Sequence, residues 1–346
     1  MKKLSLIPVL LLFTLLLGTC DRAPESVIDA VRELPTQTLT GEAMGTYYRI
    51  LYLGEEVPGL VPQIDSLLDA FNQELSAWVP GSTLNQFNES ERGVDLSGQV
   101  HFLPNLALAR SISAHTEGAY DPTVAPLVKY WGFGGGERRT SASIDSAEVA
   151  RLTRLVGVDK LTVQDGFLSK PHPDIELDLN ASAKGYGVDL LAELLEANGR
   201  DHYLIDVGGE FRAGGDKNGR PWRVAIRAPE EDVEIISQAG TLPLADGQGI
   251  ATSGNYLNYY RVEGEIFSHT INPRTGYVER NALLSASVLA PDCATADAYA
   301  TACMVLGPEA ALELINDTPE LEAYFLVGGE DGVLKTVVST GLEGID

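Results

Sequence analysis

A run of alternating residues that breaks into glycines and then into a helical pattern sets the strongest constraint on this chain. Ile175, Leu177 and Leu179 fall on one side of an extended segment, and Glu176, Asp178 and Asn180 on the other. Beyond Ala181-Ser-Ala-Lys-Gly-Tyr-Gly187, the apolar residues Val188, Leu191, Leu194 and Leu195 recur at helical spacing, and Asn198-Gly199 supplies a stop. The pattern predicts a strand, a glycine-bearing turn and a helix with Ser182 as its N-cap. A carboxylate at a strand end, the Lys184 cation and a helix N-terminus then meet within a few residues, as a site for an anionic ligand requires. An ordinary strand-to-helix junction with Lys184 in solvent accounts for the same residues.

Elsewhere, strand and helix patterns mix without the regular alternation of a doubly wound sheet. The fold class is therefore α+β, a single compact two-lobed unit of mixed sheets and helices. Residues 46–53 are rich in strand formers and are expected to be the first strand. Shorter strands are expected at 203–207, 222–226, 249–253, 259–262 and 284–289, with a closing hairpin of 323–327 and 334–339. Helical spacing marks 61–75, 103–116, 147–156, 295–306 and 309–316, and 132–143 reads as a surface loop. Hydrophobic residues make up 44% of the chain and mean hydropathy is −0.01, values of a globular protein.

The N-terminus reads as a targeting segment. Lys2-Lys3 precedes an apolar run from Leu4 to Leu17, and Leu17-Gly-Thr-Cys20 places small residues directly before a cysteine. This resembles a bacterial lipoprotein signal, with Cys20 lipidated as the mature N-terminus. The run is short for a membrane span and Pro8 interrupts it. The expected organisation is a signal peptide at 1–19, the lipidated cysteine and a polar tether at 20–39, and one folded domain at 40–342.

Loss of Lys2 and Lys3 would reduce the 25 Lys and Arg to 23 against 49 Asp and Glu, a net charge of −26. So acidic a surface argues against nucleic acid as a partner. An anionic substrate would need locally placed cations or a metal. Cys293 and Cys303 either pair as a disulfide or remain two buried thiols, and neither has neighbours at zinc-ligand spacing.

Three constellations could carry chemistry. Asp297 and Thr301 stand four apart in a helical run, which puts both oxygens on one face. A carboxylate beside a hydroxyl suits Mg²⁺, which keeps several waters, although Asp297 could equally complement the helix dipole behind a Thr295 cap. His269 precedes an Asn272-Pro-Arg-Thr-Gly276 turn, as a general base or as a structural histidine. Asp206-Val-Gly-Gly-Glu210 reads as a tight turn or a close backbone approach. Dinucleotide and P-loop glycine motifs are absent from the sequence, and Thr252-Ser-Gly254 is not a nucleophile elbow. Trp78, Tyr120, Tyr130, Trp131 and Phe133 supply flat surfaces for a stacked ring or fill a core.

Several segments combine into a recognisable series. Met44-Gly-Thr46, Ser76-Ala-Trp-Val-Pro-Gly-Ser-Thr-Leu-Asn85 and Gly118-Ala-Tyr-Asp-Pro-Thr-Val-Ala-Pro-Leu127 with Trp131-Gly-Phe133 come first. Asp178 to Tyr186, Val207-Gly-Gly-Glu210, Ala251-Thr-Ser-Gly254, His269 to Gly276 and Ala296-Asp-Ala-Tyr-Ala-Thr301 follow. Their order and spacing resemble the ApbE family of FAD:protein FMN transferases.

The resemblance implies an ApbE-like fold. It also implies an enzyme that splits FAD, attaches FMN to a Thr or Ser of a partner protein through a phosphoester, and releases AMP. Met44, Trp78, Ala119, Tyr120, Asp121, Asp178, Lys184 and Ile271 would then line the FAD site. The Ala181 carbonyl, Asp297 and Thr301 would hold Mg²⁺, and His269 would activate the acceptor hydroxyl, with Lys184 and Arg274 as auxiliary cations. The implied acceptor is a flavoprotein subunit of a membrane electron-transfer complex. The implied location is the bacterial cell envelope, facing the periplasm and held to a bilayer through Cys20, with Asp21 favouring the inner membrane.

Three positions depart from the family pattern: Ala300 where some members have an acid, Lys184 where others have Glu, and Trp78 where others have Tyr. Two rival readings use the same residues, an FAD pyrophosphatase and a flavin-binding lipoprotein without catalysis.

Overall fold

The chain enters its main sheet earlier than the sequence pattern suggests. In the computed structural model, which describes residues 33–227, 238–255, 259–329 and 333–344, β1 (Thr36–Ala43) precedes β2 (Thr46–Leu53) and pairs with it in antiparallel register along its whole length. β1 carries no apolar stripe and alternates between exposed and half-buried residues up to the buried Ala43 at its end, so periodicity does not reveal it. The strand also begins ahead of the expected domain boundary at residue 40, within what the sequence suggests is tether.

A helical region follows, with α1 (Leu60–Leu75), α2 (Thr83–Glu89), β3 (Gly93–Asp95), α3 (Phe102–His115), α4 (Ala125–Tyr130) and α5 (Ser146–Thr153). Asp145 caps α5 through its carboxylate, which accepts from the amides of Ala147 and Glu148. β4 (Thr162–Gln164) and β5 (Phe167–Ser169) complete a small sheet of order β3-β5-β4.

The stretch from Ile175 to Leu179 alternates as expected, with its three apolar residues buried, but it joins no sheet. Its backbone bonds go elsewhere: the Leu177 amide donates to Asn88 Oδ1 and the Asp178 amide to the Pro122 carbonyl, both at 2.7 Å.

After α6 (Asn180–Ala197) the chain returns to the main sheet through the hairpin β6 (Tyr203–Val207) and β7 (Glu210–Gly214). A second hairpin, β8 (Trp222–Arg227) with β9 (Gln238–Leu244), leads to β10 (Gly249–Gly254). A small ribbon, β11 (Tyr259–Val262) with β12 (Glu265–Ser268), precedes β13 (Leu283–Ala290). Then come α7 (Cys293–Leu306), α8 (Pro308–Asn316), β14 (Glu322–Gly328) and β15 (Leu334–Val338). The main sheet has the order β1-β2-β6-β7-β10-β13-β14-β15, antiparallel throughout.

Alternation along the central strands divides the core. Ala286 and Val288 of β13 and Phe325 of β14 pack with α7, and Ile50 and Tyr52 of β2 pack with α1 and α6. Ile250, Leu289, Tyr324 and Leu326 point the other way and are covered by Trp222, Val224 and Ile226 of the β8–β9 hairpin. A further core built around Phe87, Phe102, Trp131 and Phe267 underlies the helical region. Cys293 and Cys303 are buried thiols without a disulfide. Among the described residues, no helix is long and apolar enough to cross a membrane.

Candidate active site

Ser182 does not cap α6: the N-cap position falls on Leu179, which makes no side-chain cap bond. α6 begins at Asn180, three residues earlier than a Ser182 cap implies, and Asp178 Oδ1 accepts the Asn180 amide at 2.9 Å. Ser182 is buried one turn in, where its hydroxyl accepts from the Tyr120 hydroxyl and donates to Asn105 Oδ1, both at 3.1 Å. This places Tyr120, from the loop before α4, against the first turn of α6. Burial pushes the Tyr120 phenol upward and also raises the Asp178 carboxyl.

α6 and α7 approach closely because residue 185 is glycine: a Cβ there would lie 2.3 Å from the Cys293 carbonyl oxygen. The Gly185 amide donates to Asp297 Oδ2 at 3.1 Å. In a regular helix that amide serves the Ala181 carbonyl four residues back, so the bond to Asp297 bears on the helix bond that the Ala181 carbonyl would receive. The start of α7 is fixed as well. Asp292 Oδ1 accepts the Thr295 amide, displacing Thr295 from the expected capping role, while Asp189 accepts the amides of Cys293 and Ala294 and pairs with Arg212 at 2.7 Å.

The third wall comes from the β6–β7 turn. Gly208 and Gly209 hold φ values of 61° and 106° in a two-residue hairpin, and Asp206 Oδ1 accepts the Gly209 amide. The turn aims Glu210, the first residue of β7, at Lys184, whose Nζ lies 2.7 Å from Glu210 Oε1. Lys184 is therefore an ion-paired residue of the cavity wall and not a solvent lysine. Burial alone would pull its ammonium down, but Glu210 and Asp297 outweigh that and raise it. Burial drives both carboxyls upward, Lys184 opposing in each case. Glu210 Oε2 is buried without a hydrogen-bond partner.

These walls enclose a cavity of about 450 Å³. Ala119, Tyr120, Asp121, Asp178, Ala181, Lys184, His269, Ile271, Asp297 and Thr301 all line it, and Trp78 stands at the cavity with 70% of its surface exposed. His269 is 6.4 Å from Phe133, centroid to centroid. Ser253, which the sequence offers only as an unsuitable nucleophile, reaches Thr301 with its hydroxyl at 3.2 Å. Glu210 is the chief residue that sequence reasoning missed. Its signal was the glycine pair before it, which reads as a turn without indicating where the next side chain goes.

Three expected contributors stand differently. Met44 does not line the cavity: it sits at φ 51° in the β1–β2 turn, and its methyl lies so close to Gly187 that a Cβ there would be 1.9 Å away. Asp121 lines the cavity, but both its carboxylate oxygens are engaged, by Thr123 on one side and by Ser113 and the Val158 amide on the other. Arg274 lines a neighbouring cavity of about 530 Å³ across Asp121 and Pro273. Cys20 lies outside the described residues.

The sequence model of the ApbE family matches residues 44–325. An FAD:protein FMN transferase of Vibrio cholerae is 34% identical over 328 residues, covering 92% of this chain and 92% of its own length. Its counterpart in Escherichia coli K12 is 34% identical over 328 residues, with 92% and 91% covered. Among solved structures, flavin transferase ApbE from Vibrio cholerae superposes with a TM-score of 0.78 at 32% identity, covering 90% of this chain and 99% of that one. The apo form of Pseudomonas stutzeri flavinyl transferase ApbE gives 0.77 at 31% identity, covering 90% and 96%.

Proposed function

The chain belongs to the ApbE family, and from that premise we propose how it works: it is an FAD:protein FMN transferase that joins FMN to a Thr or Ser hydroxyl of a partner protein and releases AMP. One observation carries the mechanism. A single cavity gathers Asp297, Thr301 and Ala181 with Lys184, Asp178, Tyr120 and His269.

The donor set fits Mg²⁺. Among the described residues no three His, Cys, Asp or Glu side chains gather as a metal cluster. The cavity instead offers the Asp297 carboxylate with the Thr301 hydroxyl and the Ala181 carbonyl, the sparse oxygen set of an ion that keeps waters and takes substrate phosphates. When bound there, Mg²⁺ supplies positive charge to the pyrophosphate oxygens.

The chain's own residues do the rest. Lys184 adds a fixed ammonium at the cavity wall, which a protein of net charge −24 needs in order to admit a nucleotide. Trp78 offers a ring face for the flavin or adenine, and Asp178 accepts hydrogen bonds from the nucleotide. A ring nitrogen of His269 takes the proton of the acceptor hydroxyl as its oxygen bonds to the FMN phosphorus. The bond from that phosphorus to the AMP oxygen breaks, and AMP leaves with the electron pair. Positioning and charge neutralisation are what phosphoryl transfer chiefly asks of a protein.

A cell-envelope location would follow from the N-terminal segment, which resembles a lipoprotein signal. Lipidation at Cys20 and a tether behind it would hold the domain to a bilayer, facing the periplasm, with Asp21 favouring the inner membrane. The acceptor would be a flavoprotein subunit of a membrane electron-transfer complex.

The test incubates the mature protein with FAD, Mg²⁺ and an acceptor protein containing a candidate Thr, followed by mass spectrometry. An FMN adduct on that Thr with AMP in solution supports the reading. AMP with free FMN and no adduct makes the protein a pyrophosphatase, and intact FAD defeats both.

A further inference from the structure

We infer that Glu210 is a positioning residue that holds Lys184 off Asp297, keeping the Asp297 carboxylate available to a divalent cation. The inference rests on the proposed role of Asp297 as a metal ligand and adds a residue to it.

Lys184 and Asp297 are neighbours across the α6–α7 contact, since the amide of the very next residue, Gly185, donates to Asp297 Oδ2 at 3.1 Å. Both side chains line the same cavity. An ammonium on a flexible four-carbon stem beside a buried carboxylate is drawn to it. Pairing there would put the lysine charge where a cation has to sit. The structure has the ammonium on Glu210 instead, at 2.7 Å.

Glu210 is suited to holding it. It is 3% exposed and begins a strand directly after a turn of two glycines at positive φ, so its backbone position is fixed by the β6–β7 register. Its second oxygen is buried and unpartnered, which a pair kept only for stability would not favour. Apolar residues of the same shape would serve stability as well or better. What the pair provides is a defined place for the lysine charge: beside the Asp297 site, facing the cavity, and not inside that site.

The experiment measures metal binding without substrate, using Mn²⁺ followed by electron paramagnetic resonance and Mg²⁺ by calorimetry. Wild type, Glu210→Gln, Lys184→Met and the double variant are compared, with circular dichroism as the check on folding. Glu210→Gln is expected to bind either ion about tenfold more weakly, because the freed ammonium competes for Asp297 at short range. The double variant is expected to recover wild-type affinity, and Lys184→Met alone to bind at least as tightly as wild type. Unchanged affinity in Glu210→Gln, no recovery in the double variant, or weaker binding in Lys184→Met overturns the inference. The Lys184→Met comparison stands even where Glu210→Gln does not fold. A wild-type protein that binds neither ion overturns the inference and the metal reading together, whereas metal binding that is insensitive to Glu210 overturns the inference alone.

Discussion

The Gly185 amide donates to Asp297 Oδ2 at 3.1 Å, so one backbone contact both closes the α6–α7 crossing and orients the carboxylate at the centre of the site. The crossing allows this only with glycine at 185, where a Cβ would meet backbone atoms of Cys293 at 2.3 and 2.6 Å. Backbone cannot swing aside as a side-chain tip can.

Gly185→Ala is therefore expected to force the two helices apart, costing about 1–3 kcal/mol as overpacking does. The loss should appear as a lower urea midpoint with an unchanged slope. Because Asp297 moves with α7, transferase activity should fall further than the loss of folded protein accounts for. Activity per folded molecule equal to wild type would refute the coupling.

Asp297→Ala removes the one carboxylate among the proposed metal donors. Substituting residues that merely support metal ligands already costs about 10–100-fold, so a direct ligand should cost at least about 100-fold in metal-dependent turnover. Adduct formation scored by mass spectrometry across a Mg²⁺ titration is the measurement. A variant that keeps wild-type activity and metal dependence would remove Asp297 from the mechanism.

Acidity should stabilise this fold over part of the pH range. Burial raises the carboxyls of Asp178, Asp189, Asp206, Glu210 and Asp297, and Asp189 is pushed up to about 6. A carboxyl whose pKa is higher in the folded chain binds more protons folded than unfolded, so its contribution declines as pH rises. For Asp189 that contribution is fully present below the unfolded value of about 4 and is lost as pH climbs through about 6. The urea midpoint of the metal-free protein is expected to be higher at about pH 4 than at about pH 8, values that bracket the limb. Asp189→Asn should lower the midpoint at both values, through loss of the Arg212 pair, while flattening the difference. A midpoint that rises toward pH 8 would contradict the assignment.

Much of the site was legible because its residues lie in short segments whose chemistry survives without coordinates. Asp297 and Thr301 share a helix face at four-residue spacing, and α7 does place both in the cavity. Ile175, Leu177 and Leu179 are buried as their alternation suggests, yet alternation says nothing about whether a partner strand exists, and here a side-chain amide and a loop carbonyl take its place. Glu210 stayed hidden because its meaning lies in a pairing with Lys184, 26 residues away, created by a hairpin turn. Met44 differs in another way: its place in a motif gives no sign that its methyl packs at Gly187.

Trp78 separates binding from chemistry. It is 70% exposed, so its ring contributes little to the core, and it stands at the cavity proposed for the nucleotide. The segment behind it is held without the ring. Ser82 Oγ donates to the Ser76 carbonyl at 2.7 Å, and Asn85 Nδ2 donates to the Val79 carbonyl at 2.8 Å. Trp78→Ala should therefore leave thermal stability within about 0.5 kcal/mol of wild type, as surface substitutions do. Stacking of an aromatic side chain on a nucleotide base is worth about 1–3 kcal/mol, so FAD affinity should fall roughly tenfold to a hundredfold. KM for FAD should rise accordingly and kcat fall much less, because the ring contacts neither the phosphorus nor the acceptor hydroxyl in the proposed reaction. Flavin fluorescence gives the dissociation constant, and Trp78→Tyr, which keeps a ring, should recover most of it. Equal affinity in wild type and Trp78→Ala would place the flavin and adenine away from Trp78.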